Sequence, residues 1–504
     1  MQLQSLYYGL LALLIALLIR KLFARVQQYT TARRLGCQPV RKYPHTLPFG
    51  YDLFRKRIQQ RDAGRRNQHV LELFREHSPT FEENIFGQRI VQTSDTLNFQ
   101  AVGTRLDDFG RLERRSVEPF FGRGILSLHG PPWKEARSIV TPLFKRAELM
   151  DVGKFQKFVD RMFALIPRDG KTFDMQPLLQ KLFLDSSTEF IFGETVDSLR
   201  DPSGQSQEFL NAFNQALAGA GKRMAVPGAA YLYVFDKTWR EHYRKVHDFI
   251  DECIARRLNS DRKQILSDRR ERYVLVDGMA QAYRDPVELR FQLLNIFFPA
   301  RDTTAILVSN TLFCLARHPE HWAELRKQAL DLEDQPLTFE LLKGLSAFRY
   351  TLFESLRLYG PSGQIRRRAL RDTTLPRGGG PDGSFPVFVP KGTHVIVDNY
   401  PKLRDPQIWG ADVEAFRPAR FEGKVLGWDF TPFFGGPMIC PAVNQVISQS
   451  VYLLVRLVTE FERIENRDEC WEYVERARML VESANGIKIA LYPAKGSIYN
   501  QDKL

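Results

Sequence analysis

A cysteine, Cys440, stands in a turn rich in glycine and proline: Phe433-Phe434-Gly435-Gly436-Pro437-Met438-Ile439-Cys440-Pro441-Ala442. An apolar run over residues 446–458 follows it. A thiolate at the mouth of a helix is stabilised by the helix dipole and by backbone N–H groups. Such a sulfur can be the proximal ligand of a haem iron, where it favours O–O cleavage. Pro441 suits the first turn of that helix, where its missing N–H costs nothing. A lone cysteine in a long chain is also commonly a small buried hydrophobe. Other residues must choose between the two uses.

Four further constellations bear on that choice. Residues 294–315 read as a long apolar helix interrupted by Arg301-Asp302-Thr303-Thr304. An acid and two hydroxyls there serve either as a solvated turn with back-bonded threonines or as a route for protons. Glu354 and Arg357 are three apart and share a helix face. Their neighbours are apolar, so a buried pair is expected, which needs further hydrogen bonds to survive. Arg420, in Phe416-Arg417-Pro418-Ala419-Arg420-Phe421, offers a second guanidinium to the same carboxylate. Trp133 and Arg137 are four apart after Gly130-Pro131-Pro132. They mark a helix start, or a donor pair for a cofactor that bears carboxylates.

The chain that must position these residues has 504 of them, 43% apolar, ample for a large core. Its five cysteines (Cys37, Cys253, Cys314, Cys440 and Cys470) are scattered and odd in number, so no disulfide framework or metal finger is read. The formal charge of +13 suits an anionic membrane surface or an acidic partner protein. Nucleic acid is not expected, because no basic stripe interleaved with aromatics accompanies the charge.

Residues 1–19 carry no charge, and Arg20, Lys21, Arg25, Arg33 and Arg34 follow. Residues 1–21 are therefore expected to be a transmembrane anchor with the body on its basic, cytosolic side. A buried or interfacial helix is the alternative. The terminal Gln501-Asp502-Lys503-Leu504 is close to a luminal retention signal, which a cytosolic end would not present. Residues 22–50 read as a basic hinge stiffened by Tyr43-Pro44-His45-Thr46-Leu47-Pro48, and residues 51–504 as the globular body. Helical periodicity dominates, as over residues 238–258, where Tyr243, Val246, Phe249, Ile250 and Ile254 line one face. Residues 218–230, rich in Gly and Ala, read as a mobile loop. Residues 374–397 alternate and carry Gly378-Gly379-Gly380, so short strands and turns are expected.

Taken together and in this order, these motifs resemble the cytochrome P450 family of haem-thiolate monooxygenases, over essentially the whole chain. Residues 372–383 and Ser483-Ala484-Asn485-Gly486-Ile487-Lys488 resemble the fungal microsomal alkane and fatty-acid hydroxylases. The resemblance implies a mainly α fold with small β-sheets, preceded by the single transmembrane helix. It implies haem b, with Cys440 as the iron ligand and Phe433 and Gly436 shaping the ligand loop. It makes Asp302 and Thr303 the acid–alcohol pair of oxygen activation. Glu354, Arg357 and Arg420 become a buried structural triad, and Trp133, Arg137 and Arg367 contacts to the haem carboxylates. Electrons would come from NADPH through a cytochrome P450 reductase docked on the Cys440 side, at the endoplasmic reticulum membrane. Substrate contacts are expected from residues 97–128, 209–234, 297–304 and 361–366 and the turn near Ala484.

The chain departs from the family's pattern at four positions. Met438 stands where an arginine or histidine is usual, which predicts weaker haem retention. Ala442 replaces a glycine. Pro441 restricts Cys440 to extended backbone. Pro299-Ala300 precedes the Arg301-Asp302-Thr303 run in place of a small residue and a glycine, and Pro299 is expected to kink the helix. Three functions remain open: hydroxylation of a long aliphatic chain as a fatty-acid or alkane terminal hydroxylase, the same chemistry on a polyketide or fatty-acyl secondary metabolite, and haem binding with impaired or no turnover.

Overall fold

The structure, a computed structural model, describes residues 2–112, 115–148, 153–201, 204–225, 233, 235–259 and 274–495. Helices dominate and the strands form small sheets, as expected. Five helices matter most for the site: α1 (Gln2–Arg34), α2 (Pro131–Glu148), α3 (Pro286–Arg317), α4 (Ser346–Tyr359) and α5 (Val443–Glu460).

Helix α3 is the axis. Its start is set by Asp285, whose carboxylate accepts the Val287 N–H at 3.0 Å, and by Pro286 in the first turn. Its end is set by His318-Pro319, because the residue before proline avoids α geometry. The N-terminal half, from Leu289 to Phe298, packs in one apolar cluster with Phe120, Phe213, Ile250 and Met279. The C-terminal half, from Ala305 to Ala316, packs in a second with Leu352, Leu356, Val451 and Leu454. The polar stretch between them, residues 299–304, is left at the seam. The helix continues unbroken from Pro286 to Arg317 with Pro299 inside it.

The main sheet has strands β1 (Thr80–Ile85), β2 (Gln88–Thr93), β3 (Phe109–Arg111), β4 (Gln364–Ala369) and β5 (His394–Asp398). Their order is β1-β2-β5-β4-β3. β2 and β5 run parallel, while the other neighbours are antiparallel. The strands expected within residues 374–397 are the pair Thr373–Gly379 and Phe385–Val389, followed by β5.

Two expectations need correction. Residues 218–225 are not a loop: the helix Gln205–Ala225 runs through them, and residues 226–230 lie outside the described residues. The small side chains there permit close helix packing. A Cβ on Gly219 would come within 2.1 Å of the Trp239 ring, whose indole N–H donates to the Ala216 carbonyl at 2.9 Å. Trp239 lies on the helix Lys237–Leu258, which forms as predicted and is capped by Asp236.

The second correction concerns the anchor. The N-terminal helix forms, but among the described residues no helix is long and apolar enough to cross a membrane. Gln2, Gln4 and Ser5 precede the apolar run and Arg20 and Lys21 close it. That leaves fewer than the ~20 apolar residues a span ordinarily needs. α1 continues to Arg34, so part of the expected hinge is helical. Beyond it the chain is bound to the body: Val40 is buried and bridges to Gly379, and the Tyr43 N–H donates to the Glu82 carbonyl at 2.8 Å. The four terminal residues lie outside the described region.

Candidate active site

A cavity of about 670 Å³ lies at the seam between the two clusters. Cys440, Phe433 and Met438 enter its wall from the loop before α5. Trp133 and Arg137 come from α2, Pro299, Ala300, Thr303 and Thr304 from α3, Ile365 and Arg367 from β4, and Arg111 from β3. Six of the residues singled out by sequence thus meet around one space: Cys440, Phe433, Thr303, Trp133, Arg137 and Arg367. Asp302, Gly436, Glu354, Arg357 and Arg420 lie outside the lining.

The Cys440 loop is held by its backbone. The Cys440 N–H donates to the Phe433 carbonyl at 3.0 Å, and the Phe434 N–H to the Thr431 carbonyl at 3.0 Å. Phe434 and Gly436 both adopt positive φ, 63° and 67°. Gly436 must be glycine, because a Cβ there would sit 2.7 Å from the Gly103 carbonyl oxygen. The loop is also tied from below. Lys402 Nζ donates to the Trp428 carbonyl at 2.6 Å and the Thr431 hydroxyl at 2.8 Å, and Asn399 donates to the Thr431 carbonyl at 2.9 Å. Burial pushes the Lys402 ammonium down to about 7. Pro441 is not in the helix: Ala442 takes the N-cap position of α5, and the helix starts at Val443.

Burial pushes the Cys440 thiol up, while the Ala442 N–H and the Arg137 guanidinium pull it down. Burial wins, so the thiolate calls for a cationic centre facing the sulfur. Burial also pulls Arg137 down, against the attraction of Cys440. Arg137 and Trp133 both line the cavity.

On α3, the Thr303 hydroxyl donates to the Pro299 carbonyl at 2.8 Å. Asp302 sits 3.2 Å from Arg301 and is not part of the cavity lining. Burial pushes the Asp302 carboxyl up to about 6, against Arg301, which pulls it down. Arg301 in turn donates to Asn214 Oδ1 at 3.1 Å from both terminal nitrogens, tying α3 to the helix Gln205–Ala225.

Beneath the loop, the Glu354 carboxylate accepts Arg357 Nε at 2.7 Å and Nη2 at 2.8 Å. It also accepts Arg420 Nε at 3.2 Å and the Arg417 N–H at 3.0 Å. Glu354 and Arg357 are 0% and 1% exposed, so this is a buried ion pair with its lone pairs filled.

A cysteine loop, an acid–alcohol helix and a buried Glu–Arg–Arg set in one chain agree with the sequence comparisons. The cytochrome P450 family model matches residues 46–489. The chain belongs to the cytochrome P450 family. It is 37% identical to cytochrome P450 monooxygenase iccC of Talaromyces variabilis, over 97% of this chain and 98% of that one. It is 35% identical to cytochrome P450 monooxygenase fumoA of Cordyceps fumosorosea, over 96% and 97%. The corresponding figure for monooxygenase tenA of Beauveria bassiana is 34%, over 96% and 98%. The family is one of oxidoreductases, and membership implies a haem-thiolate iron, a reductase as redox partner and a small-molecule substrate.

The residues of this P450 fit that group. A sulfur on the cavity wall lies within the influence of Arg137, and the guanidiniums of Arg137, Arg367 and Arg111 share the lining with the Trp133 indole N–H. Arg111, Lys402, Asn399 and Trp428 escaped the sequence reading. Each owes its place to a partner distant in sequence, such as Thr431 for Lys402 and Asn399. The one available signal was a lysine inside the apolar-flanked stretch Val397-Asp398-Asn399-Tyr400-Pro401-Lys402-Leu403. The last expected substrate contact also shifts: residues 477–481, not the turn near Ala484, line the cavity.

Proposed function

We propose that this P450 hydroxylates a lipophilic small molecule of fatty-acyl or polyketide type in a biosynthetic pathway. The observation that carries the reading is the single cavity that joins Cys440 and Thr303 to a mainly apolar wall. Phe144, Phe190, Ile296, Phe298, Leu307 and Leu480 are part of that wall.

In this account Cys440 ligates the haem iron, and Phe433 and Gly436 fix the loop that presents it. Trp133, Arg137 and Arg367 hold the haem carboxylates. The bound haem supplies the oxygen-activating chemistry. Thr303 holds a proton at its hydroxyl, anchored on the Pro299 carbonyl, and Asp302 exchanges protons behind it from the protein interior. The triad of Glu354, Arg357 and Arg420 locks the floor. NADPH-derived electrons enter from a reductase on the Cys440 face, where Lys343 and Arg349 border a groove with Ile439 and Asn444. The exposed apolar start of α1, with Tyr7, Tyr8, Leu13, Leu17 and Ile19, holds the enzyme at the endoplasmic reticulum membrane, body in the cytosol.

The competing reading, a terminal hydroxylase of ordinary fatty acids, draws on Arg61, Arg66 and Arg366, which line the same cavity and suit a carboxylate. Substrate-induced spin-state titration separates the two. Polyketide acyl compounds should shift the haem spectrum at lower concentration than linear fatty acids of equal length. Tighter binding of the linear acids would overturn the first reading.

The Asp302 carboxyl gives a pH-dependent test. An acid whose folded pKa of about 6 exceeds its ordinary value of 3.8 keeps a proton on folding that the unfolded chain releases. Its contribution to stability therefore falls as pH rises from about 4 to beyond 6. Asp302→Asn removes the effect. Urea melts should show the variant gaining on the wild type by about 2 kcal/mol between pH 4 and pH 8, with turnover down by about 10²-fold or more. A stability difference that does not change with pH would contradict the burial of this carboxyl. Turnover equal to wild type would remove it from the proton route.

A further inference from the structure

Lysines are rarely buried, yet Lys402, at the end of the short helix Asn399–Lys402, is 2% exposed. An ammonium carries three donors and no acceptor, and the surroundings use all three. Nζ donates to the Trp428 carbonyl at 2.6 Å and to the Thr431 hydroxyl at 2.8 Å, and it stands 4.0 Å from the centre of the Phe99 ring. All three partners are neutral. The charged groups that face it are two carboxylates, Asp429 from the loop that carries Trp428 and Asp95 from the cap of the helix Thr96–Thr104. Both are bound elsewhere: Asp429 Oδ1 accepts the Thr96 hydroxyl at 2.7 Å, and Asp95 Oδ1 the Asn98 N–H at 2.9 Å. Trp409, whose indole N–H donates to the Lys402 carbonyl at 3.2 Å, adds no charge. A cation taken out of water among neutral partners gives up its proton more readily than one in an ion pair.

These partners lead to the Cys440 loop. The Thr431 carbonyl accepts the Phe434 N–H at 3.0 Å, and the Phe433 carbonyl accepts the Cys440 N–H at 3.0 Å. The Trp428 ring lies so close beneath the loop that a Cβ on Gly435 would fall 2.5 Å from it. Thr431 and Asn399 also hold each other: the Thr431 hydroxyl donates to Asn399 Oδ1 at 3.0 Å, and the Asn399 amide to the Thr431 carbonyl at 2.9 Å. A hydroxyl has one proton to give. While the ammonium donates to Thr431, that proton serves Asn399. A neutral amine has two N–H groups and a lone pair, and the negative face of the Phe99 ring repels the lone pair. Turning the Thr431 hydroxyl toward Nζ satisfies the lone pair, at the loss of the bond to Asn399 Oδ1 on a residue 1% exposed.

We propose that Lys402 is a proton-dependent positioning residue for the iron-ligand loop: its ammonium latches Trp428 and Thr431 beneath Cys440, and release of that proton to water turns the Thr431 hydroxyl and loosens the loop. Lys402 acts from behind the loop and takes no part in the cavity lining. Its effect on the haem rests on the reading of Cys440 as the iron ligand; the latch itself does not. Burial holds the ammonium at about 7, so both states are populated near neutral pH and the loop is firmest on the acid side.

Hydrogen exchange of the backbone amides over residues 431–440, in the full-length protein with and without haem, tests the latch. After correction for the intrinsic pH dependence of exchange, wild-type protection should fall about ten-fold from pH 6 to pH 8.5, the factor for one buried hydrogen bond. Lys402→Met has no proton to lose and should show no such fall. Thr431→Val, which removes the hydroxyl that turns, should also be level. Wild-type protection that stays level, or a response of wild-type size in either variant, would overturn the proposal; if one variant fails to fold, the other decides. In the holoenzyme, the thiolate Soret band of the reduced carbon-monoxide complex should weaken over the same range in wild type and not in Lys402→Met. A steady wild-type band above responding amides would confine the change to the backbone and overturn the positioning role. A wild-type protein that takes up no haem would be the failure of the haem reading instead, with the latch still decided by exchange in the haem-free chain.

Discussion

Glu354→Ala is expected to lose most of the folded, haem-loaded protein. The carboxylate accepts four N–H donors, from Arg357, Arg420 and the Arg417 backbone. Removing it strands the Arg357 guanidinium, 1% exposed, and leaves Arg420, 9% exposed, with Asp412 at 2.8 Å as its remaining carboxylate. Breaking a buried pair in this way costs about 3–5 kcal/mol, against a total of about 5–15 kcal/mol for a typical domain. The damage spreads because the same arginines knit the floor. Arg357 Nη1 donates to the Leu403 carbonyl at 2.9 Å, and Arg420 Nη2 to the Asp412 carbonyl at 2.9 Å. That floor contains Asn399 and Lys402, which hold the Cys440 loop through Thr431. A circular-dichroism melt should show a midpoint lower by on the order of ten degrees or no cooperative transition. Glu354→Gln, which keeps the shape and loses the charge, should fall between. A Glu354→Ala melt within about two or three degrees of wild type would contradict this account of the floor.

Cys440→Ala should have the opposite profile: a near-complete loss of haem chemistry with the fold retained. The loop's anchoring bond at this position is from the Cys440 backbone N–H to Phe433, and alanine keeps it. The positive-φ residues that shape the loop, Phe434 and Gly436, are unaffected. The thiol is held in its protonated form by burial, so its removal takes away no buried charge from the protein alone. The melt of the haem-free variant should match that of haem-free wild type within about 1 kcal/mol. Haem content should drop sharply and monooxygenase turnover should vanish. Full turnover in Cys440→Ala would remove the sulfur from the site, and a collapsed apo fold would make its role structural.

The difference between these two variants reflects what the sequence could carry. The Cys440 loop and the Glu354–Arg357 spacing are local patterns, and each encodes its own geometry: a glycine that must reach positive φ, and two charged residues one helical turn apart. Long-range partners have no such signature. Arg111 is one arginine among many until the register of β3 sets it opposite Arg367, more than two hundred residues later in the chain. Lys402 reads as a surface lysine until Trp428 and Thr431 close over it. Small residues misled in another way. Gly219 and its neighbours resemble a loop because glycine serves flexible turns, but the same lack of a side chain admits Trp239 against a helix. At the N-terminus, the uncharged and largely apolar run up to Ile19 reads as long enough for a span, but no described helix is both long and apolar enough to cross a membrane. The α3 helix was legible in type and misjudged in extent, because its first residues, 286–293, alternate polar and apolar and only the Asp285-Pro286 cap marks the start.

The reduced carbon-monoxide difference spectrum of the full-length protein tests the central claim most directly. The account predicts a Soret band characteristic of thiolate ligation in the wild type, absent from Cys440→Ala. A wild-type protein that binds haem with a band of nitrogen ligation, or a thiolate band that survives in Cys440→Ala, would contradict it.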